Sequence, residues 1–294
     1  MNKSTAYVFL SSVFFSFGGL FFKIITWDAL AISSARSILA GSFIFIYLLI
    51  KKHKFKINRT VIIAALSISC TNTLYSLANK LTTAGNAIVL QFSMPVFVII
   101  IMLVFFHKKP TKFEVFTCFT VLAGIICFFV DSLSAGNMTG NALALISGVS
   151  YAGFFVFNSR EESEPFTAAV ISYTITALIG LPSLLKTDIA ATPAGELIAV
   201  AALGLLQQGA AQIAFSSGIK STSAVAAGLI SGIEPILNPV LVAVFYKEML
   251  TPLSLVGAAI VLGSVIVYNY IESKQKDVKS ADKQMTDPDN PLRE

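Results

Sequence analysis

The chain has 294 residues, of which 55% belong to the apolar set AVILMFWYC and only 13% are charged. A soluble domain carries about 25% charged residues, so this chain cannot coat a globular surface against water, which excludes a soluble enzyme and a disordered protein. The formal charge of +5 does not make it a nucleic-acid binder, because 11 of its 37 charges crowd into residues 272–294 and most of the rest sit between or at the ends of long apolar runs.

In chain order, apolar stretches fall at 5–23, 30–50, 60–79, 84–106, 113–131, 139–158, 166–186, 195–217, 223–246 and 252–271. Each has about the 20 residues that a helix needs to cross a bilayer. Continuous apolar runs such as 95–106 exclude a β-barrel, whose strands of about 10 residues alternate between faces. The first run follows Lys3 and ends in Phe21, Phe22 and Lys23 without a small-residue cleavage site. It reads as a retained helix rather than a signal peptide.

Ten crossings put both termini on one side. That side collects Lys3, then Lys51, Lys52, Lys54, Lys56 and Arg59, then Lys108, Lys109, Lys112, Arg160, Lys220 and five basic residues of the tail. The opposite side holds Lys23, Lys80, Lys186 and Lys247, and Arg36 lies inside the second span. The bias predicts an inner (plasma) membrane protein with both termini cytoplasmic. Residues 272–294 combine charge with Pro288 and Pro291 and lack apolar periodicity, so a disordered cytoplasmic tail is expected there.

Cys70, Cys118 and Cys127 all fall in spans, where a free thiol behaves as a small apolar group. His53 and His107 sit in basic loops, which leaves no histidine for metal or proton chemistry within the membrane. No metal spacing, Walker A pattern or cofactor motif is present, so no catalytic residue, metal or cofactor is expected. A membrane-embedded enzyme needs clustered reactive groups, and only Glu234 and Arg36 are plainly charged inside spans, away from the span ends. A channel needs a polar stripe through the whole bilayer, whereas the polar residues here gather near its middle.

The sequence repeats itself. At a shift of 140 residues, Ser76 meets Ser216, Lys80 meets Lys220, Thr82 meets Thr222, Pro95 meets Pro235 and Thr111 meets Thr251. At a shift of 134, Ser16, Gly19 and Phe21 meet Ser150, Gly153 and Phe155. The expected division is therefore 1–134 and 135–271, five spans each, followed by the tail. Five is odd, so the second unit threads the bilayer in the opposite sense. Such inverted repeats are common in secondary transporters, whose substrate site lies near the midplane between them.

The segment Gly232-Ile233-Glu234-Pro235, an apolar helix, and then Glu248-Met249-Leu250-Thr251 resembles the EamA-like branch of the drug/metabolite transporter superfamily. The first repeat carries Met94-Pro95 and Pro110-Thr111 in the same register, with His107-Lys108 where that family usually has Glu. The resemblance covers about residues 5–271. It implies an all-α membrane protein of ten helices around a central cavity, exporting amino acids, other metabolites or drugs.

Ionisable and amide side chains inside spans are the candidate substrate-binding groups. Glu234 and Asn238 lie one turn apart on one helical face. Pro95, Pro235 and Pro239 are expected to break their helices, Pro95 freeing the carbonyl of Gln91, whose repeat counterpart is Ser231. On a regular helix Gln208 and Gln212 share a face and Gln207 points elsewhere. Asn72 is the counterpart of Gln212, with Thr71 and Tyr75 nearby. Arg36 either binds a substrate carboxylate, pairs with Glu234, or snorkels to the interface. Tyr151 and Tyr173 read as packing or interfacial aromatics, and Gly18, Gly19 and Gly153 as points of close helix approach.

These residues predict a secondary transporter of small polar metabolites such as amino acids. It would work by alternating access around a cavity between spans 3, 4, 8 and 9. The partners expected are a small-molecule substrate, the lipid bilayer and protons as a coupling ion, and nothing requires more than a monomer. Efflux of lipophilic cationic drugs is the rival, since it needs only a lone acid such as Glu234.

Overall fold

The structure is a computed structural model that describes residues 3–22, 24–82, 84–133, 137–246 and 251–286. Within these, the side chains of residues 79, 80, 84, 132, 246 and 272–286 are not described. Lys23, Lys247 and Glu248, the side chain of Lys80 and the expected repeat boundary at 134–135 thus lie outside the described residues.

Ten helices long and apolar enough to cross a membrane are present among the described residues. In chain order they are α1 (Lys3–Phe22), α2 (Ala29–Ile50), α3 (Arg59–Ala78), α4 (Gly85–Phe106), α5 (Lys112–Phe129), α6 (Met138–Asn158), α7 (Pro165–Leu184), α8 (Ala194–Ser221), α9 (Ala224–Phe245) and α10 (Pro252–Ile271). Large apolar side chains face outward on them, among them Phe105, Phe116, Val244, Phe245 and Ile266. An apolar belt of that extent suits lipid and not water.

Several starts are set by local caps. Asp28 accepts from Leu30 N, Asn58 from Val61 N and Glu164 from Thr167 N. The threonines that mark the end of the family-like segments do the same work in both repeats. Thr111 forms a capping box with Glu114 at the start of α5, and Thr251 accepts from Ser254 N at the start of α10. Each satisfies a backbone N–H that the first turn leaves without a partner.

Four spans depart from regular helix. The first halves of α1, α4 and α9 end at Phe15, Gln91 and Ser231, and their second halves begin at Gly18, Met94 and Glu234. Residues 91 and 231 are repeat counterparts, so duplication has kept one break in two places. Pro95 and Pro235 occupy the first turn after each break, where the missing N–H has no intrahelical partner to lose. Pro239 does not break α9, contrary to the sequence expectation, because the helix Glu234–Tyr246 runs through it. One lost hydrogen bond is tolerated there beside bonds such as Leu237 N to Ile233 O at 2.9 Å. In α8, Leu203–Ala210 is a π-helical stretch.

The packing obeys the inverted symmetry. Helix α3 packs along α6 as α8 packs along α1, and α2 packs on α8 as α7 packs on α3. The pairs α2–α7 and α5–α10 map onto themselves. Five helices per unit and this exchange of neighbours define two inverted five-helix repeats around a central space. Loops follow the same rule at the two ends. At one, Glu196 of α8 accepts from Thr26 N (2.8 Å) and Thr26 Oγ1, and Trp27 Nε1 donates to Thr192 Oγ1. At the other, His53 Nε2 meets Glu164 Oε2 at 3.1 Å, and Asn58 Nδ2 donates to the carbonyl of Glu162 at 2.7 Å. The first contact joins loop 1–2 to loop 7–8, and the second joins their counterparts, loops 6–7 and 2–3.

The last helix continues past the apolar segment to Thr286, so the expected disordered tail meets helix over 272–286, and 287–294 lie outside the described residues. A helix already nucleated by α10 extends cheaply through Glu272, Lys274, Gln275 and Lys276, all good helix formers.

Helices α5 and α10 touch through glycines. A Cβ on Gly257 would lie 2.7 Å from the carbonyl oxygen of Gly124 and against the backbone of Phe128, whereas one on Gly263 meets nothing within 4 Å. We predict that Gly257→Ala lowers stability by about 1–3 kcal/mol through overpacking. Gly263→Ala is expected to be neutral or to stabilise by up to about 1 kcal/mol through helix propensity. Unfolding of the two purified variants in detergent checks the contrast.

Candidate functional site

A cavity of about 500 Å³ lies between the repeats. All eight candidate substrate-binding residues line it: Arg36, Asn72, Tyr75, Gln91, Gln208, Gln212, Glu234 and Asn238. Of the three prolines, Pro235 joins them, while Pro95 and Pro239 do not. The walls are wider than spans 3, 4, 8 and 9. Residues Phe15, Gly18, Gly19 and Phe22 of α1, Arg36 of α2, Tyr151 and Phe154 of α6 and Tyr173 of α7 also contribute. Only α5 and α10 stand aside, since each packs against the other.

The breaks bring the walls together. Where α1 is interrupted, the carbonyl of Phe15 accepts from Gln207 Nε2 at 3.2 Å. Gly18 and Gly19 follow, and a Cβ on Gly19 would collide with the Asn238 amide, so α9 reaches the cavity only because that position has no side chain. On the first-repeat side, Gly148 of α6 lets the carbonyl of Gln91 approach to 2.8 Å of where a Cβ would stand. The carbonyl expected to be freed by Pro95 is thus packed against α6.

Gln207 corrects the helical-wheel reading. It lines the cavity with Gln208 and Gln212, because the π-helical stretch spreads its residues over a wider turn than 3.6-residue spacing allows. The sequence carried one trace of this: Gly204 and Gly209 stand five apart, the spacing of a π-turn, and a Cβ on Gly209 would sit 3.1 Å from Gly204 O.

Hydrogen bonds fix part of the lining. Tyr151 Oη donates to Glu234 Oε2 at 3.3 Å, and Tyr173 Oη donates to Gln212 Oε1 at 3.3 Å. Gln212 Nε2 donates to Ser216 Oγ at 3.2 Å, and Gln91 Nε2 to Ser147 Oγ at 3.4 Å. The two tyrosines, read from sequence as packing groups, therefore orient an acid and an amide of the site. Arg36 and Glu234 face the same cavity without an ion pair between them; the two ion pairs among the described residues are His53–Glu164 and Arg160–Glu162. Arg36 does not snorkel either, since it is buried with its guanidinium over the Phe22 ring, 5.2 Å from the centroid.

Toward the loop 6–7 end, the space below the cavity is filled by stacked rings, with Phe154 and Phe215 at 4.3 Å and Phe155 beside both. Toward loop 1–2 the lining continues to Phe22 and Ala29. A second space of about 570 Å³ is larger, but it lies at the loops among His53, Lys54, Lys56, Glu161, Glu164 and Lys220. No cluster of three metal-ligating side chains is present among the described residues.

Two opposed helical repeats enclosing one polar cavity at mid-depth define a membrane transporter. The chain belongs to the EamA-like transporter family, which matches residues 2–130 and again residues 138–270. It is 28% identical over 227 residues to "Uncharacterized transporter YwfM" of Bacillus subtilis, covering 75% of this chain and 76% of that one. An "Uncharacterized transporter" of Archaeoglobus fulgidus is 23% identical over 268 residues, covering 91% and 96%. A solved crystal structure superposes with a TM-score of 0.80 at 16% identity, covering 91% of this chain and 97% of that one. The last likeness concerns the fold alone.

The hydrogen bonds separate stability from lining. The Asn72 side chain makes no hydrogen bond to protein among the described residues, while Gln212 serves Tyr173 and Ser216. Asn72→Ala is predicted to leave thermal stability unchanged. Gln212→Ala should cost on the order of 0.6–1.7 kcal/mol per hydrogen bond lost within the membrane. Thermal unfolding of the two variants in detergent tests this.

Proposed function

We propose that the protein is a secondary transporter that exports small polar metabolites, amino acids first among them, across the inner membrane. The observation that carries this reading is the single cavity that gathers one acid, one guanidinium and six amides between the two repeats. Amides both donate and accept, and one fixed charge of each sign matches a zwitterion better than any ion. The volume suits a metabolite with a few polar groups, at the small end of the range of about 300–1,000 Å³ for ligand sites.

Alternating access is the mechanism that the paired repeats support. The contacts at Glu196 and at Glu164 are symmetry counterparts at opposite ends of the molecule. Opening one while its counterpart holds would expose the cavity to one side at a time. The π-helical turn and the three helix breaks supply the places where such a motion bends.

In proteoliposomes, counterflow with a mixed pool of radiolabelled amino acids, with and without a pH gradient, is expected to show uptake that Asn72→Ala, Gln91→Ala and Gln212→Ala each lower. Parental rates in all three variants would remove the cavity from the pathway. Efflux of lipophilic cations is the second reading, favoured by the lone cavity acid. Glu234→Gln separates the two: loss of cation resistance with intact amino-acid flux would establish the rival.

The basic bias of the loops supports cytoplasmic termini. After replacement of Cys70, Cys118 and Cys127, single cysteines at Lys56 and at Ala190 should react with a membrane-impermeant maleimide from opposite sides, Ala190 from outside intact cells. Labelling of both from one side would refute the inverted threading.

A further inference from the structure

Arg36 is only 9% exposed and lines the cavity, yet it donates no hydrogen bond to protein among the described residues, and its buried Nε has no partner. No Asp or Glu oxygen of the described residues lies within 4.0 Å of it. The Phe22 ring lies against the guanidinium, with its centroid 5.2 Å from the guanidinium carbon, and Tyr173, Tyr75 and Glu234 stand near enough to act on its charge. Gln207 and Gln208 line the same cavity, with their Oε1 atoms shielded from it.

A guanidinium buried in the membrane interior without a paired counter-ion is held at high cost. A molecule that fills the cavity and brings an anion to Arg36 relieves that cost. Glu234 is held by Tyr151 and makes no ion pair with Arg36.

We infer that Arg36 is the anion subsite of this cavity, and that the molecule carried presents a planar carboxylate to its guanidinium. The inference rests on the transport reading above and narrows it. A carboxylate accepts from a guanidinium in bidentate fashion, which a point-like ammonium cannot reproduce. An amide or decarboxylated analogue would leave the guanidinium unpaired, and a cation would add a second positive charge beside it. A site built around one hydrogen-bonding group rejects analogues lacking it by about 100-fold or more.

The test uses the full chain in detergent and thermal unfolding with L-leucine, L-threonine or L-glutamine, the amide of each, or tetraphenylphosphonium. At least one free acid should raise the melting temperature at a concentration about 100-fold below that needed for its amide. Arg36→Gln should lose this preference while unfolding cooperatively on its own, and Arg36→Lys should keep a weakened form of it. The subsite is overturned if amide and acid stabilise the parent equally, if Arg36→Gln keeps the parent's preference, or if no acid stabilises the parent. Equal response to acid and amide would remove the subsite and leave the transport reading standing. Stabilisation by tetraphenylphosphonium alone would remove both. Should Arg36→Gln fail to fold, the acid-to-amide preference of the parent and of Arg36→Lys decides the matter.

Discussion

A polar group within the hydrocarbon layer has only the protein, or water that the protein admits, to bond with. Every irregular feature of this molecule can be read against that constraint. The carbonyl exposed where α1 breaks is taken by Gln207. The break in α4 is closed by Ser93 Oγ, which donates to Leu90 O at 2.6 Å. Along the helices, serine and threonine hydroxyls such as Ser16 and Thr71 return to a carbonyl four residues back. Polar atoms left over after this accounting include Arg36 Nε and the Oε1 atoms of Gln207 and Gln208, and all three residues border the cavity.

Duplication supplied the frame and divergence supplied the chemistry. The breaks after Gln91 and Ser231, the prolines that follow them, and the caps at Thr111 and Thr251 are common to both repeats. The side chains at matched positions are not. Glu234 corresponds to Met94, which is fully buried in the core, and Gln212 corresponds to Asn72. Both walls carry amides, but only the second carries the acid, and only α2 carries the guanidinium. A symmetric scaffold can exchange the conformations of its halves, while an asymmetric lining lets one orientation of a substrate be preferred.

The ten spans and the repeat were legible because lipid imposes length and apolarity on every crossing segment, and the odd number of spans per repeat then fixes the opposed threading. The cavity residues were legible for the same reason: an amide or charge amid apolar sequence stands out. What stayed hidden depends on geometry that no residue type announces. Gln207 joins the lining only through the wide turn at Leu203–Ala210. Tyr151 and Tyr173 became site residues because the fold sets their hydroxyls against Glu234 and Gln212, whereas their composition suits an interface equally well. Pro239 looked like a breaker because a single missing N–H was weighed without the intact bonds around it.

The two loop contacts bear on the alternating access proposed for this molecule. A transporter needs its alternative conformations to differ by only a few kcal/mol, so that a substrate can shift the balance. The polar contacts at each end are few: a carboxylate taking two hydrogen bonds from Thr26 and a Trp27–Thr192 bond at one, and a His53–Glu164 contact with one carbonyl bond at the other. At the first end Ile25 also joins a buried apolar cluster with Ala199 and Val200. Two of the packed surfaces, α5 on α10 and α2 on α7, map onto themselves when the two halves are exchanged, whereas α3 on α6 and α1 on α8 change places. An exchange of the halves would keep the first two surfaces and remake the other two along with the contacts at the ends.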